Sequence, residues 1–158
     1  MTKRTVSILT FITLSIMIAL LAIFMQSQVS LNRAQDEALA LIGYDHKVSA
    51  VNKFYWARTD QATFALDFSD QKGDRYYAII EREGGDIHYF PEDDLISEQD
   101  AKAITAHEMK DSKILQARLG LYDNEPVWEV TLKNKNQTVT YYLLSAEDGE
   151  WIQTISNI

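Results

Sequence analysis

The chain contains no cysteine, and this single absence removes disulfides, thiol chemistry, most zinc sites and a lipid-modified N-terminal cysteine from consideration. Histidine is scarce as well, with His46, His88 and His107 the three present. His107-Glu108 begins like the H-E-x-x-H zinc-protease motif, but position 111 is Asp111, not a second histidine. None of the three has the spacing of a metal ligand, so all are expected in loops or on the surface. With six glycines and two prolines, the sequence offers no phosphate-cradling glycine loop, dinucleotide fingerprint, G-x-S-x-G or S-x-x-K motif. No catalytic, cofactor-binding or metal-binding residue is assigned, and a non-enzymatic protein without a cofactor is expected.

Positive charge is also in short supply. The 158 residues carry 15 basic and 23 acidic side chains, a net −8. Lys3 and Arg4 precede residue 25 and every acidic residue follows it, so the remainder holds 13 basic against 23 acidic groups, a net −10. Nucleic acid and anionic membrane surfaces would repel such a domain. The densest acidic stretch, Glu92-Asp93-Asp94 with Glu98 and Asp100 behind it, has the oxygens of a calcium loop. It lacks the glycine to turn one, because none occurs between Asp86 and Gly120. It is read as a solvated connector with negative charge placed at a helix N-terminus.

One feature is abundant where most soluble domains have none. Residues 6–25, VSILTFITLSIMIALLAIFM, contain no charge, proline or glycine. At ~1.5 Å rise per residue, such a run reaches about 30 Å, the thickness of a bilayer core. Its polar groups, Ser7, Thr10, Thr13 and Ser15, can return their hydroxyls to helix carbonyls. Lys3 and Arg4 flank it on one side, and the next basic residue is Arg33, so the positive-inside bias puts the tail, residues 1–5, in the cytoplasm. A cleaved secretory signal is the competing reading. The run exceeds the usual ~7–15-residue signal core, and no small-x-small cleavage site follows it, so a retained single-pass anchor is expected.

Beyond the anchor, Leu31, Ala34, Ala38, Leu41 and Ile42 recur at helical spacing and predict an amphipathic helix stopped by Gly43. No breaker between Gln26 and Ser30 separates it from the anchor. Strands are expected at 48–58, 62–68, 75–83 and 87–90, with turns at 71–74 and at Gly84-Gly85-Asp86. After the connector, Ser97 is placed as N-cap of a helix from Glu98 to about Met109, with Asp100 completing a capping box. Ala101, Ile104, Thr105 and Met109 are its expected inner face. Further strands are expected at 114–122, 127–133, 138–145 and 151–155.

Sliding the chain by 64 positions lays Gln35-Asp36 on Gln99-Asp100, Phe64 on Trp128, Leu66 on Val130, Tyr77 on Tyr141, Ile79 on Leu143 and Gly85 on Gly149. Both helix starts and the strands align together. The fold class expected is therefore α+β, with a transmembrane helix followed by two tandem modules. Each module is one helix packed on an antiparallel meander sheet. The first spans residues 26–90, the connector 91–96 and the second module 97–158.

This layout, with Ile96, Ser97 and Ala101 at the second helix start, Trp128-Glu129-Val130 in a middle strand and Asp148-Gly149-Glu150-Trp151 at the last turn, resembles the YpmB/TseB-like family of small bacterial exported proteins. Their modules resemble the cystatin-like PepSY unit. The resemblance implies a Gram-positive cell-wall elongation regulator that contacts a penicillin-binding transpeptidase outside the membrane. Two other functions are weighed beside it: a PepSY-like inhibitor or chaperone of an exported protease, and a module binding a wall polymer or small ligand.

Aromatic residues supply the candidate protein-contact positions Tyr55, Trp56, Tyr76, Tyr77 and Tyr89. Neighbours on a strand point to opposite faces, so Tyr55 and Trp56 cannot share one, nor can Tyr76 and Tyr77. One member of each pair must leave the helix-covered face, and there it meets either a partner or the other module.

Overall fold

A computed structural model describes residues 3–82 and 85–156, with the side chains of residues 3, 5–7 and 27–31 outside that description. The chain divides into two compact units, Met1–Glu37 and Ala38–Ile158. Helix α1 runs unbroken over Lys3–Ile42, as the absence of a breaker predicts. Within it, Ile8–Gln26 has a mean hydropathy of 2.7 and is long and apolar enough to cross a membrane. Thr13 Oγ1 donates to the Leu9 carbonyl and Ser15 Oγ to that of Phe11, both at 2.9 Å. The hydroxyls are thereby satisfied without water. The side chains of Ser7 and Leu31 lie outside the described residues.

The second unit is mixed α+β. Strands β1 (Val48–Arg58), β2 (Ala62–Asp70), β3 (Arg75–Glu81) and β4 (Ile87–Pro91) form one antiparallel meander. A short 3₁₀ turn, Glu92–Asp94, leads to helix α2 (Glu98–Glu108). Strands β5 (Lys113–Tyr122), β6 (Glu125–Lys133), β7 (Val139–Ser145) and β8 (Trp151–Ile155) form the second meander. The β3 expectation ran to Glu83. The strand ends at Glu81, and Glu83 and Gly84 lie outside the described residues, while Gly85 takes φ +76° in the turn. The β5–β6 hairpin closes on Asp123 and Asn124, both at positive φ, the geometry that suits a two-residue turn between twisted strands.

The last turn of α1 packs on the first sheet, where Ala38 and Ile42 join Leu66, Phe68, Ala78 and Ile80 in one buried cluster. Leu41, expected inward, is 42% exposed. Ala38 and Ile42 are four apart and superpose on one face, whereas Leu41 stands about 100° round the helix from Ile42. Helix α2 starts with the full capping box: Asp100 N donates to Ser97 Oγ at 3.1 Å, and Ser97 N donates to Asp100 Oδ2 at 3.2 Å. Its inner face is Ala101 and Thr105, both buried, flanked by Ile104 and Met109.

The two sheets share a core. The face of the first sheet turned away from α1 contributes Tyr55, Ala65, Tyr77 and Ile79 to the cluster that holds Leu119, Trp128, Val130 and Leu144 of the second. Strand β5 lies against both β1 and β2. Gly120 makes that approach possible, because a Cβ there would stand 2.7 Å from Ala57 Cβ and 3.1 Å from Thr63 Oγ1. The hairpin at Arg58–Thr59 is tied down by Thr59 Oγ1 donating to the Leu121 carbonyl and by Asp123 N donating to Asp60 Oδ2.

Candidate functional site

The five aromatic candidates separate into two environments. Tyr55 and Tyr77 are 5% and 3% exposed, and each meets Trp128 edge-on, at centroid distances of 5.4 and 6.2 Å. They are packing between the sheets and are unavailable to a partner, which corrects their place among the contact residues. Alternation required one of each pair to face away from α1, and the second sheet occupies that face. Tyr55 OH also donates to Glu98 Oε2 at 2.9 Å, beside Lys53 Nζ at 2.5 Å and Lys102 Nζ at 2.5 Å on the same carboxylate. Burial works to raise the Glu98 pKa, but the bonds from Lys102, Lys53 and Tyr55 outweigh it and hold the group below its ordinary value. Burial, and then Asp67, push the Tyr77 phenol up to about 12, so it stays protonated.

Trp56, Tyr76 and Tyr89 lie on the α1 side of the first sheet. Trp56 is 40% exposed, edge-on to Phe64. Tyr76 and Tyr89 are half-buried around the ring of His46, at 5.0 and 4.5 Å, with Phe68 at 5.6 Å. Tyr89 OH donates to Asp45 Oδ2 at 2.9 Å. These contacts fasten the segment that follows α1, so Trp56 is the candidate with a free flank. His88 pairs with Glu81 and His107 with Glu108. Among the described residues no group of His, Asp and Glu is arranged to hold a metal ion. Of the acidic stretch, Glu92 pairs with Arg75, Glu98 with two lysines, and Asp100 belongs to the Ser97 capping box.

Sequence reasoning missed a second site, on the face of the second sheet opposite α2. Register places Arg118, Glu129, Leu143 and Gln153 in one row across β5, β6, β7 and β8. Tyr141 and Ile155 pair in the adjoining row. With Tyr122 and the Arg58–Thr59 hairpin as a wall, these residues line a cavity of about 370 Å³. Glu129 is 5% exposed, with Arg118 Nη1 3.7 Å from its Oε1. Burial raises its pKa above the ordinary glutamate value, opposed only in part by Arg118. The signal available in sequence was a charged residue at the centre of an apolar strand, PVWEVTL, opposite an arginine in the register that the Asp123-Asn124 turn sets.

The fold now has known counterparts. The YpmB protein from Bacillus subtilis superposes with a TM-score of 0.67 over 77% of this chain and 95% of that one, at 20% sequence identity. The two chains share a fold. A candidate lipoprotein from Clostridium difficile 630 aligns at a TM-score of 0.41 and 10% identity, over 80% of this chain and 90% of its own, too distant to carry an argument. No protein-family model matches the sequence, and no curated protein is significantly similar to it.

Proposed function

We propose that this chain is a non-enzymatic protein-binding module of the YpmB/TseB-like kind, anchored by residues 6–25 with its N-terminus in the cytoplasm and residues 38–158 outside the membrane. Its two sheets are tandem cystatin-like modules. It regulates cell-wall synthesis by touching a penicillin-binding transpeptidase anchored in the same membrane. The observation that carries this reading is the conjunction of an apolar 19-residue segment with a fold shared along 95% of YpmB. Confinement of both partners to one membrane raises their effective concentration, so a small contact suffices. Exposed aromatic anchors suit such a contact: Trp56, and Trp151 at the start of edge strand β8, 60% exposed.

The test is photocrosslinking of the full-length chain in its own membrane, with a benzophenone amino acid at position 56 or 151. The expected adduct contains a protein that fluorescent penicillin labels. Adducts without any penicillin-labelled protein at both positions, with the chain recovered in the membrane fraction, would overturn the transpeptidase assignment. Protease added to intact protoplasts is expected to digest residues 38–158, and protection of that region would overturn the topology.

A further inference from the structure

The sequence repeat makes the two sheets comparable face by face, and the comparison exposes a difference. Tyr77 and Ile79 of the first sheet correspond to Tyr141 and Leu143 of the second. In the first sheet this helix-free face is closed by the second. In the second sheet the same face is left with the 370 Å³ cavity, a size at the small end of ligand pockets.

Among the described residues of 38–158 two carboxylates are buried, and they are treated differently. Asp67 accepts from Arg75 Nε at 2.9 Å, Arg75 Nη2 at 2.6 Å and Asn52 Nδ2 at 2.9 Å. Glu129 is as deeply buried a residue, yet among the described residues its carboxylate is held by one long ion pair, with Arg118 Nη1 3.7 Å from its Oε1. A carboxylate taken largely out of water and held by one long ion pair is a cost to folding unless something else supplies donors. Burial raises the pKa of Glu129, and Arg118 offsets that only in part. Of the two arginines that border the cavity, Arg118 makes its one long ion pair with Glu129, and no hydrogen bond within 3.5 Å joins the Arg58 side chain to a described residue, so both have donors left for a ligand. Tyr122 and Tyr141 with Leu143 and Ile155 supply flat and apolar surface between these charges.

A purely cationic ligand would face two guanidinium groups here, and a purely anionic one would face Glu129. We propose that this cavity binds a free amino acid or short peptide with both termini charged, its ammonium donating to Glu129 and its carboxylate accepting from Arg118 and Arg58. Bidentate recognition of a carboxylate by arginine and charge-assisted donation to a buried glutamate are the two strong polar contacts such a ligand can make. The tyrosines hold its body. This site stands apart from the protein contact proposed above and does not rest on it.

The test uses the full-length chain in detergent micelles with L-alanyl-L-phenylalanine as probe, followed by calorimetry and by shifts of the tyrosine ring resonances. Saturable binding is expected below about 10 mM. Acetylating the amine or amidating the carboxylate should each weaken it on the order of tenfold or more. Glu129→Gln should abolish the sensitivity to acetylation, and Arg118→Met the sensitivity to amidation. A structural role for Glu129 would make Glu129→Gln less stable than the parent. A ligand role predicts a thermal midpoint equal to or above the parent's, because a buried charge is removed. Should that variant fail to fold, the structural role is upheld and the proposal falls. Arg58→Gln, on the exposed rim, is expected to fold normally and to lose part of the amidation effect. Absence of saturable binding at about 10 mM, or equal binding of the free, acetylated and amidated probes, would overturn the assignment.

Discussion

At the scale of single residues, the largest consequence rests on Trp128. It is fully buried, is met edge-on by Tyr55 and Tyr77 from the other sheet, and donates its indole N–H to the Ile96 carbonyl at 2.9 Å. Trp128→Ala removes a large buried ring and leaves that carbonyl without its donor, and is expected to cost about 3–5 kcal/mol, read as a shift in the urea midpoint. Glu98 and Glu129 give stability a pH dependence of opposite signs. The folded-state pKa of Glu98 lies below its ordinary value, so its contribution is complete above that ordinary value and is lost as pH falls through the folded one. That of Glu129 is raised, so its penalty is complete above the folded value and is relieved as pH falls from there toward the ordinary one. Urea midpoints measured against pH should show the deficit of Glu98→Gln relative to the parent shrinking on acidification. The advantage of Glu129→Gln should shrink as well. The alternation of Tyr55 with Trp56 and of Tyr76 with Tyr77 was legible in sequence. Which member of each pair would be buried was not, because that depends on where the second sheet docks.

At the scale of elements, local signals were strong and sufficient. The capping box at Ser97 and Asp100, the glycine after Ile42 and the β-branched and aromatic runs set most boundaries to within two residues, since these signals act between near neighbours in the chain. Ser97→Ala removes a side chain that both accepts from Asp100 N and donates to Asp100 Oδ2. It is expected to lower stability by about 1 kcal/mol, measured by thermal or urea unfolding. Gly120 is different in kind. Nothing in LQARLGLYD requires a glycine for a turn, and its backbone is ordinary strand. The demand comes from β1 and β2, which approach so closely that a methyl group at 120 would overlap Ala57. Gly120→Ala is expected to cost about 1–3 kcal/mol through overpacking at this crossing of the sheets. The neighbouring Thr63 hydroxyl, buried without a hydrogen-bond partner, marks how tightly this seam is closed.

At the scale of the whole molecule, the chain joins an apolar segment that suits lipid to a unit with a strong net negative charge that suits water. Deleting residues 6–25 is expected to move the protein from the membrane pellet to the aqueous fraction. On the reading proposed above it should also reduce the yield of the partner crosslink by on the order of a hundredfold, because the effective concentration supplied by the shared membrane is lost. Fractionation followed by crosslinking at position 151 measures both. A crosslink of unchanged yield from the soluble form would mean that the contact is strong by itself and the tether dispensable.

The amino-acid order alone determined the membrane-compatible helix, the start of α2 and eight strands in two sets of four. Each of these depends on periodicity, capping or hydropathy over a few residues, which a linear reading captures. Tertiary structure decided that the sheets share one core through Tyr55, Tyr77 and Trp128, that Gly120 is a point of contact, and that Arg58, Arg118 and Glu129 surround one cavity. Arg58 and Glu129 come from different sheets and lie 71 positions apart. Register within the second sheet sets Arg118 opposite Glu129, and only the docking of the first sheet brings Arg58 to them.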